Sequence, residues 1–161
     1  MVEKQNVELK LIHMEDVVSK EVEWLWYPYI PYGKITIIEG DPGEGKTTLV
    51  LKLAAALSRG LPLPCDDDKE YEPIHIIYQT AEDGLGDTIK PRLLAAGADC
   101  SKVLVIDDSD QPLTMADVRL EEAIVQTKAK MVVLDPIQGF LGADVDMHRA
   151  NEIRPLTVSY T

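Results

Sequence analysis

The stretch Gly40-Asp41-Pro42-Gly43-Glu44-Gly45-Lys46-Thr47 fits the pattern G-x-x-x-x-G-K-[ST], a glycine-rich loop that cradles phosphate. Its flanks suit that reading. Ile35, Thr36, Ile37 and Ile38 before it are apolar or β-branched and predict a buried strand. Residues 48–59 after it are rich in Leu and Ala and predict a helix, with Gly60 as its C-terminal stop. The chemistry needs this order. Glycine lets the backbone wrap closely around a phosphate, and a helix N-terminus presents free N–H groups and the positive end of its dipole. In such a loop the lysine, here Lys46, reaches the β- and γ-phosphates, and the hydroxyl of Thr47 ligates Mg²⁺. The candidate nucleotide-binding residues are therefore Gly40, Asp41, Pro42, Gly43, Glu44, Gly45, Lys46, Thr47 and Thr48.

The length, 161 residues, is that of about one domain, and an apolar content of 45% suffices for a core. No run of residues approaches the ~20 apolar positions of a transmembrane helix, so no membrane association is expected. Residues 1–10 are polar and lack the apolar segment of a signal peptide. Cys65 and Cys100 have neither metal-binding nor redox spacing and read as lone thiols in a reducing cytoplasm. A formal net charge of −12 argues against a generally adhesive nucleic-acid surface.

Residues 1–33 read as a leader and residues 34–161 as the core. Val7, Leu9 and Leu11 alternate with polar residues and predict a short strand. Trp24, Trp26, Tyr27, Tyr29 and Tyr32, broken by Pro28 and Pro31, form an aromatic approach that packs against the outside of the sheet or, alternatively, stacks on a base. Residues 61–73 are a polar loop with three prolines, in which Asp66, Asp67 and Asp68 form a solvated acidic run. Strands are predicted over residues 74–80, 103–106 and 131–134. Helices are predicted over 88–96, with Pro91 in the first turn and Gly97 as cap, and over 114–128, with Thr114 as N-cap and Asp117 completing a capping-box-like pattern. Residues 138–147 read as a loop, and another helix is expected to start within residues 150–156.

Strands that alternate with helices predict a parallel sheet in an α/β fold. Ligands of such sheets gather at the carboxyl ends of strands. The glycine-rich loop, Glu82 and Asp135 each stand at such an end. Asp135 follows Met131-Val-Val-Leu134, the pattern of a Walker B strand, where a carboxylate holds Mg²⁺ through its water shell. Pro136 follows Asp135, so no glutamate stands there to act as base. Glu82, at the tip of the neighbouring strand, is the candidate general base, with Asp83 as the alternative. Arg92 either contacts adenine or makes a surface ion pair. His148, Arg149 and Arg154 read as DNA-facing or as solvated surface.

The segments Gly40 to Thr48, Tyr78-Gln-Thr-Ala-Glu-Asp83, Leu134-Asp-Pro-Ile-Gln-Gly-Phe-Leu-Gly142 and Asn151-Glu-Ile-Arg154 together resemble the RecA-like ATPases related to the RepA-type hexameric replicative helicases, AAA-family proteins of prophages and mobile elements. The resemblance covers about residues 8–156. It implies a ring-forming homo-oligomer that hydrolyses ATP with Mg²⁺ at subunit interfaces and moves along single-stranded DNA. It assigns Lys46, Thr47, Glu82 and Asp135 to functional positions and places the segment after Asp135 where the family has a DNA-binding loop. The family continues past this point with a sensor strand, which lies between the P-loop strand and the Walker B strand, and with an arginine that reaches a neighbour's nucleotide. The resemblance thus implies a RecA-like fold whose C-terminal part is absent, with a gap inside the sheet. Two other functions are compatible with the residues. One is a nucleotide-dependent regulator or scaffold without helicase activity; the other is a small-molecule kinase.

Overall fold

The computed structural model describes residues 9–66 and 69–142. Its centre is a three-stranded parallel sheet flanked by helices, an α/β arrangement of the P-loop NTPase type. In chain order the elements are β1 (Trp24–Trp26), β2 (Ile30–Pro31), α1 (Lys46–Arg59), β3 (Ile76–Thr80), α2 (Lys90–Ala95), β4 (Val103–Leu104), α3 (Val118–Thr127) and β5 (Met131–Asp135). The sheet order is β4-β3-β5, so β3 is the central strand. Strands β1 and β2 form a separate antiparallel hairpin.

The central strand is buried along nearly its whole length because both of its faces are covered. Ile76, Ile77, Tyr78 and Gln79 are all buried. One face carries Ile76 and Tyr78, which join Leu51, Leu53 and Leu57 of α1 and Leu93 of α2 in a single buried cluster. Leu25 and Trp26 of the hairpin enter the same cluster, and the Trp26 indole N–H donates to Pro64 O at 3.0 Å. The hairpin thus reaches the core through Leu25 and Trp26, while Tyr27, Tyr29 and Tyr32 of the aromatic stretch stay exposed. Helix α1 ends at Gly60, whose φ of 70° lies in the left-handed region, and Leu61 N–H returns to Ala56 O at 2.9 Å. That closure satisfies carbonyls which the last turn would otherwise leave free.

Gln79 explains why β4 is short. The strand expected over residues 103–106 has only two residues in ladder pairing with β3. Beyond them the Gln79 side chain substitutes for the backbone. Its Nε2 donates to Ile106 O at 3.2 Å and its Oε1 accepts from Ile106 N–H at 2.7 Å. The two hydrogen bonds offset the cost of taking the amide out of water.

Several expectations need correction. Residues 35–38 do not form a buried strand. They pair with no strand among the described residues, and Ile35, Ile37 and Ile38 are 52%, 68% and 38% exposed. Burial of a strand needs a neighbour on its edge and layers on its faces, and among the described residues β5 is paired only to β3. Leu9 and Leu11 are exposed and lie in no strand, while Val7 falls outside the described residues. The helix expected from residue 114 starts at Val118. Asp117 is its N-cap, in extended conformation, accepting from Arg119 N–H at 2.9 Å. Residues 114–117 instead make a turn, closed by Asp117 N–H to Thr114 O at 3.1 Å, with Met115 N–H donating to Phe140 O at 2.8 Å. The helix expected over 88–96 begins earlier, with a π-helical turn at Leu85–Ile89 that runs into α2.

Exposure separates the two apolar runs that flank the glycine-rich loop. Leu57, 1% exposed, fills the core, whereas Ile37 is 68% exposed. Leu57→Ala is expected to lower stability by about 2–5 kcal/mol. Ile37→Ala should stay within about 0.5 kcal/mol of the wild type. Urea unfolding of both variants checks this, and an equal loss in Ile37→Ala would mean that residues 35–38 are buried in solution.

Candidate active site

The site lies at the carboxyl ends of the parallel strands, where helix α1 begins. The loop of residues 40–45 makes a tight turn and leads into Lys46, the first residue of α1. Gly43 and Gly45 have φ of 86° and 87°, values that disfavour a side chain, which accounts for glycine at both positions. Gly45 is the N-cap of α1 and brings no capping side chain, so the first-turn N–H groups are left for an external acceptor.

Two side chains of the loop fold back on it. The Lys46 ammonium donates to Gly40 O at 2.7 Å and to Asp41 O at 2.8 Å. An ammonium has three donors, so one remains for an incoming anion. Glu44 Oε2 accepts from Asp41 N–H at 2.9 Å, while Glu44 N–H donates to Asp41 O at 3.3 Å. This reciprocal pair holds the turn of residues 41–44 in shape. Pro42 occupies the same turn, and Thr48 lies in the first turn of α1.

Asp135 reaches the loop from the end of β5. Thr47 Oγ1 donates to Asp135 Oδ2 at 2.8 Å, joining the start of α1 to the tip of the strand. The hydroxyl has one proton and two lone pairs. With the proton committed to Asp135, the lone pairs face elsewhere and can meet a cation. Hard oxygen donors, a carboxylate and a hydroxyl, match Mg²⁺ that keeps most of its waters and takes its other ligands from phosphates. The donor set therefore fits that ion. Among the described residues no group of three or more His, Cys, Asp or Glu converges as a metal-binding cage.

A second donor to the same carboxylate escaped the sequence reading. Tyr78 Oη donates to Asp135 Oδ2 at 3.0 Å. Burial first, then the charge of Asp135 and the hydrogen bond to it, push the Tyr78 phenol far above its ordinary value. It stays protonated, and thus a donor, throughout the working pH range. The available signal was Tyr78 itself, a phenol two residues before the end of the strand that leads to the rim.

The remaining candidates stand on the turn after β3. Ala81 N–H donates to Asp135 O at 3.1 Å, which fixes the start of this turn against β5. Glu82 is exposed and makes no hydrogen bond or ion pair among the described residues, so its carboxylate is free. Asp83 is held instead: its N–H donates to Thr80 Oγ1 at 3.0 Å and its carboxylate lies 3.9 Å from Arg92. That contact favours the surface ion pair of the two roles open to Arg92. His148, Arg149, Asn151 and Arg154 lie outside the described residues.

No helix among the described residues is long and apolar enough to cross a membrane. Neither the curated proteins nor the solved structures contain a match to this chain. A family model described as an AAA domain matches residues 5–157, nearly the whole chain. Taken with the loop, the strand-end carboxylate and the parallel sheet, that match means that the chain belongs to the AAA domain family of P-loop nucleotide-binding ATPases.

Proposed function

We propose that this chain binds ATP with Mg²⁺ and hydrolyses it, as the RecA-like module of a RepA-type DNA helicase or another replication or recombination motor. Residues 34–161 would be the ATPase core, with residues 1–33 packed on it. The observation that carries the nucleotide reading is the 2.8 Å hydrogen bond between Thr47 and Asp135. It brings a hydroxyl at the phosphate-binding turn and a strand-end carboxylate, 88 residues apart, to one point.

The roles follow from the positions. The N–H groups of the loop and of the first turn of α1 receive the phosphates. The spare donor of Lys46 binds a β- or γ-phosphate oxygen. Thr47 and Asp135 hold the cation, directly or through its waters. Glu82, unpaired at the tip of β3, orients and deprotonates the attacking water. When bound, Mg²⁺ would supply positive charge that offsets the charge building up on the phosphate.

The motor reading rests on the sequence resemblance and includes homo-oligomers and single-stranded DNA as partners. A nucleotide-dependent regulator or scaffold is the second reading. The net charge of −12 favours it, because a chain so acidic has little general attraction for a polyanion. Steady-state ATP hydrolysis with and without single-stranded DNA separates them. Stimulation by DNA supports the motor, and an unchanged rate supports the regulator. Labelled phosphate on an acceptor molecule would indicate a kinase.

Two substitutions test the site. Lys46→Ala removes a charge-assisted hydrogen bond worth roughly 1.5–3 kcal/mol. The expected loss is about 10- to 150-fold in MgATP affinity, and calorimetry that shows unchanged affinity rejects the assignment. Glu82→Gln should keep ATP binding and lose about 10²–10⁴ in hydrolysis rate, the usual contribution of a general base. Near-normal turnover would pass the role to Asp83.

A further inference from the structure

The parallel register of β3 and β5 puts a phenol under the strand-end carboxylate. Ile76 pairs with Met131, Tyr78 with Val133 and Thr80 with Asp135. Alternate residues of a strand share a face. Ile76, Tyr78 and Thr80 therefore share one face with Met131, Val133 and Asp135. Tyr78 stands two residues before the partner of Asp135, roughly 6.6 Å back along the strand at ~3.3 Å per residue. A tyrosine leaning along its strand can cover that distance, and its Oη lies 3.0 Å from Asp135 Oδ2.

Tyr78 is 0% exposed and its ring sits in the buried cluster with Leu51, Leu53 and Leu93. Its position is thus fixed by packing. Thr47 donates to the same Oδ2 at 2.8 Å. Two donors on one oxygen, one from α1 and one from β3, hold the carboxylate against rotation about its last bond. They also occupy the acceptor capacity of Oδ2. Oδ1 accepts no hydrogen bond among the described residues, and it is the oxygen left for a cation or for the cation's water.

We propose that Tyr78 is a positioning residue for the nucleotide-bound divalent cation: its hydroxyl locks Asp135 so that Oδ1 is presented to the cation's water shell. Outer partners of this kind orient ligating carboxylates and set metal affinity. The inference rests on the nucleotide reading above, and it assigns a role that neither the loop motif nor the strand-end aspartate contains.

The substitution that isolates it is Tyr78→Phe, which keeps the ring in the cluster and removes only the hydroxyl. The probe is a fluorescent ATP analogue, titrated with Mg²⁺ and, separately, in EDTA. In Tyr78→Phe the Mg²⁺ concentration for half-maximal nucleotide binding should rise about 10- to 100-fold. Affinity for the nucleotide in EDTA should stay at the wild-type value. Equal loss in both titrations would show that the hydroxyl only supports the fold, and an unchanged Mg²⁺ requirement would overturn the inference while leaving the ATPase reading intact. A wild type that binds nucleotide no better with Mg²⁺ than without it would overturn both. Should Tyr78→Phe fail to fold, the wild type carrying tyrosine labelled with ¹³C at Cζ gives the same answer. The Tyr78 signal should shift when Mg²⁺ is added to the nucleotide complex and not when nucleotide is added in EDTA. A Tyr78 signal blind to Mg²⁺ counts against the proposal.

Discussion

One hydrogen bond, from the Thr47 hydroxyl to Asp135 Oδ2 at 2.8 Å, makes a site out of two distant segments. Everything around it serves its geometry. Asp135 stands where it does because β5 pairs along its whole length with β3, from Ile76 opposite Met131 to Thr80 opposite Asp135. Thr47 stands where it does because α1 lays Leu51, Leu53 and Leu57 on the face of that sheet. A side chain buried to this degree contributes about 1.5–3 kcal/mol, so three of them hold the helix against sliding. A slip of α1 by one turn, roughly 5.4 Å, would break the bond and separate the loop from the carboxylate.

The electrostatics of the rim suit the cation that the proposed function requires. The parallel strands end in carboxylates: Glu82 and Asp83 after β3, Asp107 and Asp108 after β4, and Asp135 at the end of β5. Hydrogen bonds from Ser109 hold Asp107 below the usual carboxylate range, so it is ionised well into acid. Glu44 and Asp41 add charge within the loop itself. Lys46 and Arg92 oppose them, and Arg92 is drawn to Asp83 at 3.9 Å. A bare polyphosphate would meet net repulsion at such a rim. A polyphosphate carrying a divalent cation brings its own compensation, and the oxygens of Thr47 and Asp135 are placed to meet it.

The glycine-rich loop and the Asp135 strand were legible because each depends on local chemistry. A left-handed turn needs glycine, a phosphate needs free N–H groups, and a buried parallel strand needs a continuous apolar run. The start of α3 was misread because Thr114 and Asp117 are both good caps. In the folded chain Asp117 makes the cap bond, accepting from Arg119 N–H, while Thr114 is held in the preceding turn, beside a long-range hydrogen bond from Met115 N–H to Phe140 O that no local pattern contains. The length of β4 was misread for a similar reason, since the Gln79 amide took over the pairing that two more residues would have made.

The sequence by itself determined the type of fold, the glycine-rich turn and the candidate carboxylates, because these follow from residue type and spacing along the chain. Tertiary structure decided what spacing cannot express. It set residues 35–38 in solvent, although their composition is that of a buried strand, because no neighbouring strand pairs with them among the described residues. It brought Tyr78 under Asp135 through the register of two strands more than fifty residues apart. Burial and register are properties of pairs of segments. A single segment states what it is suited to meet, and only the packed chain settles whether it meets it.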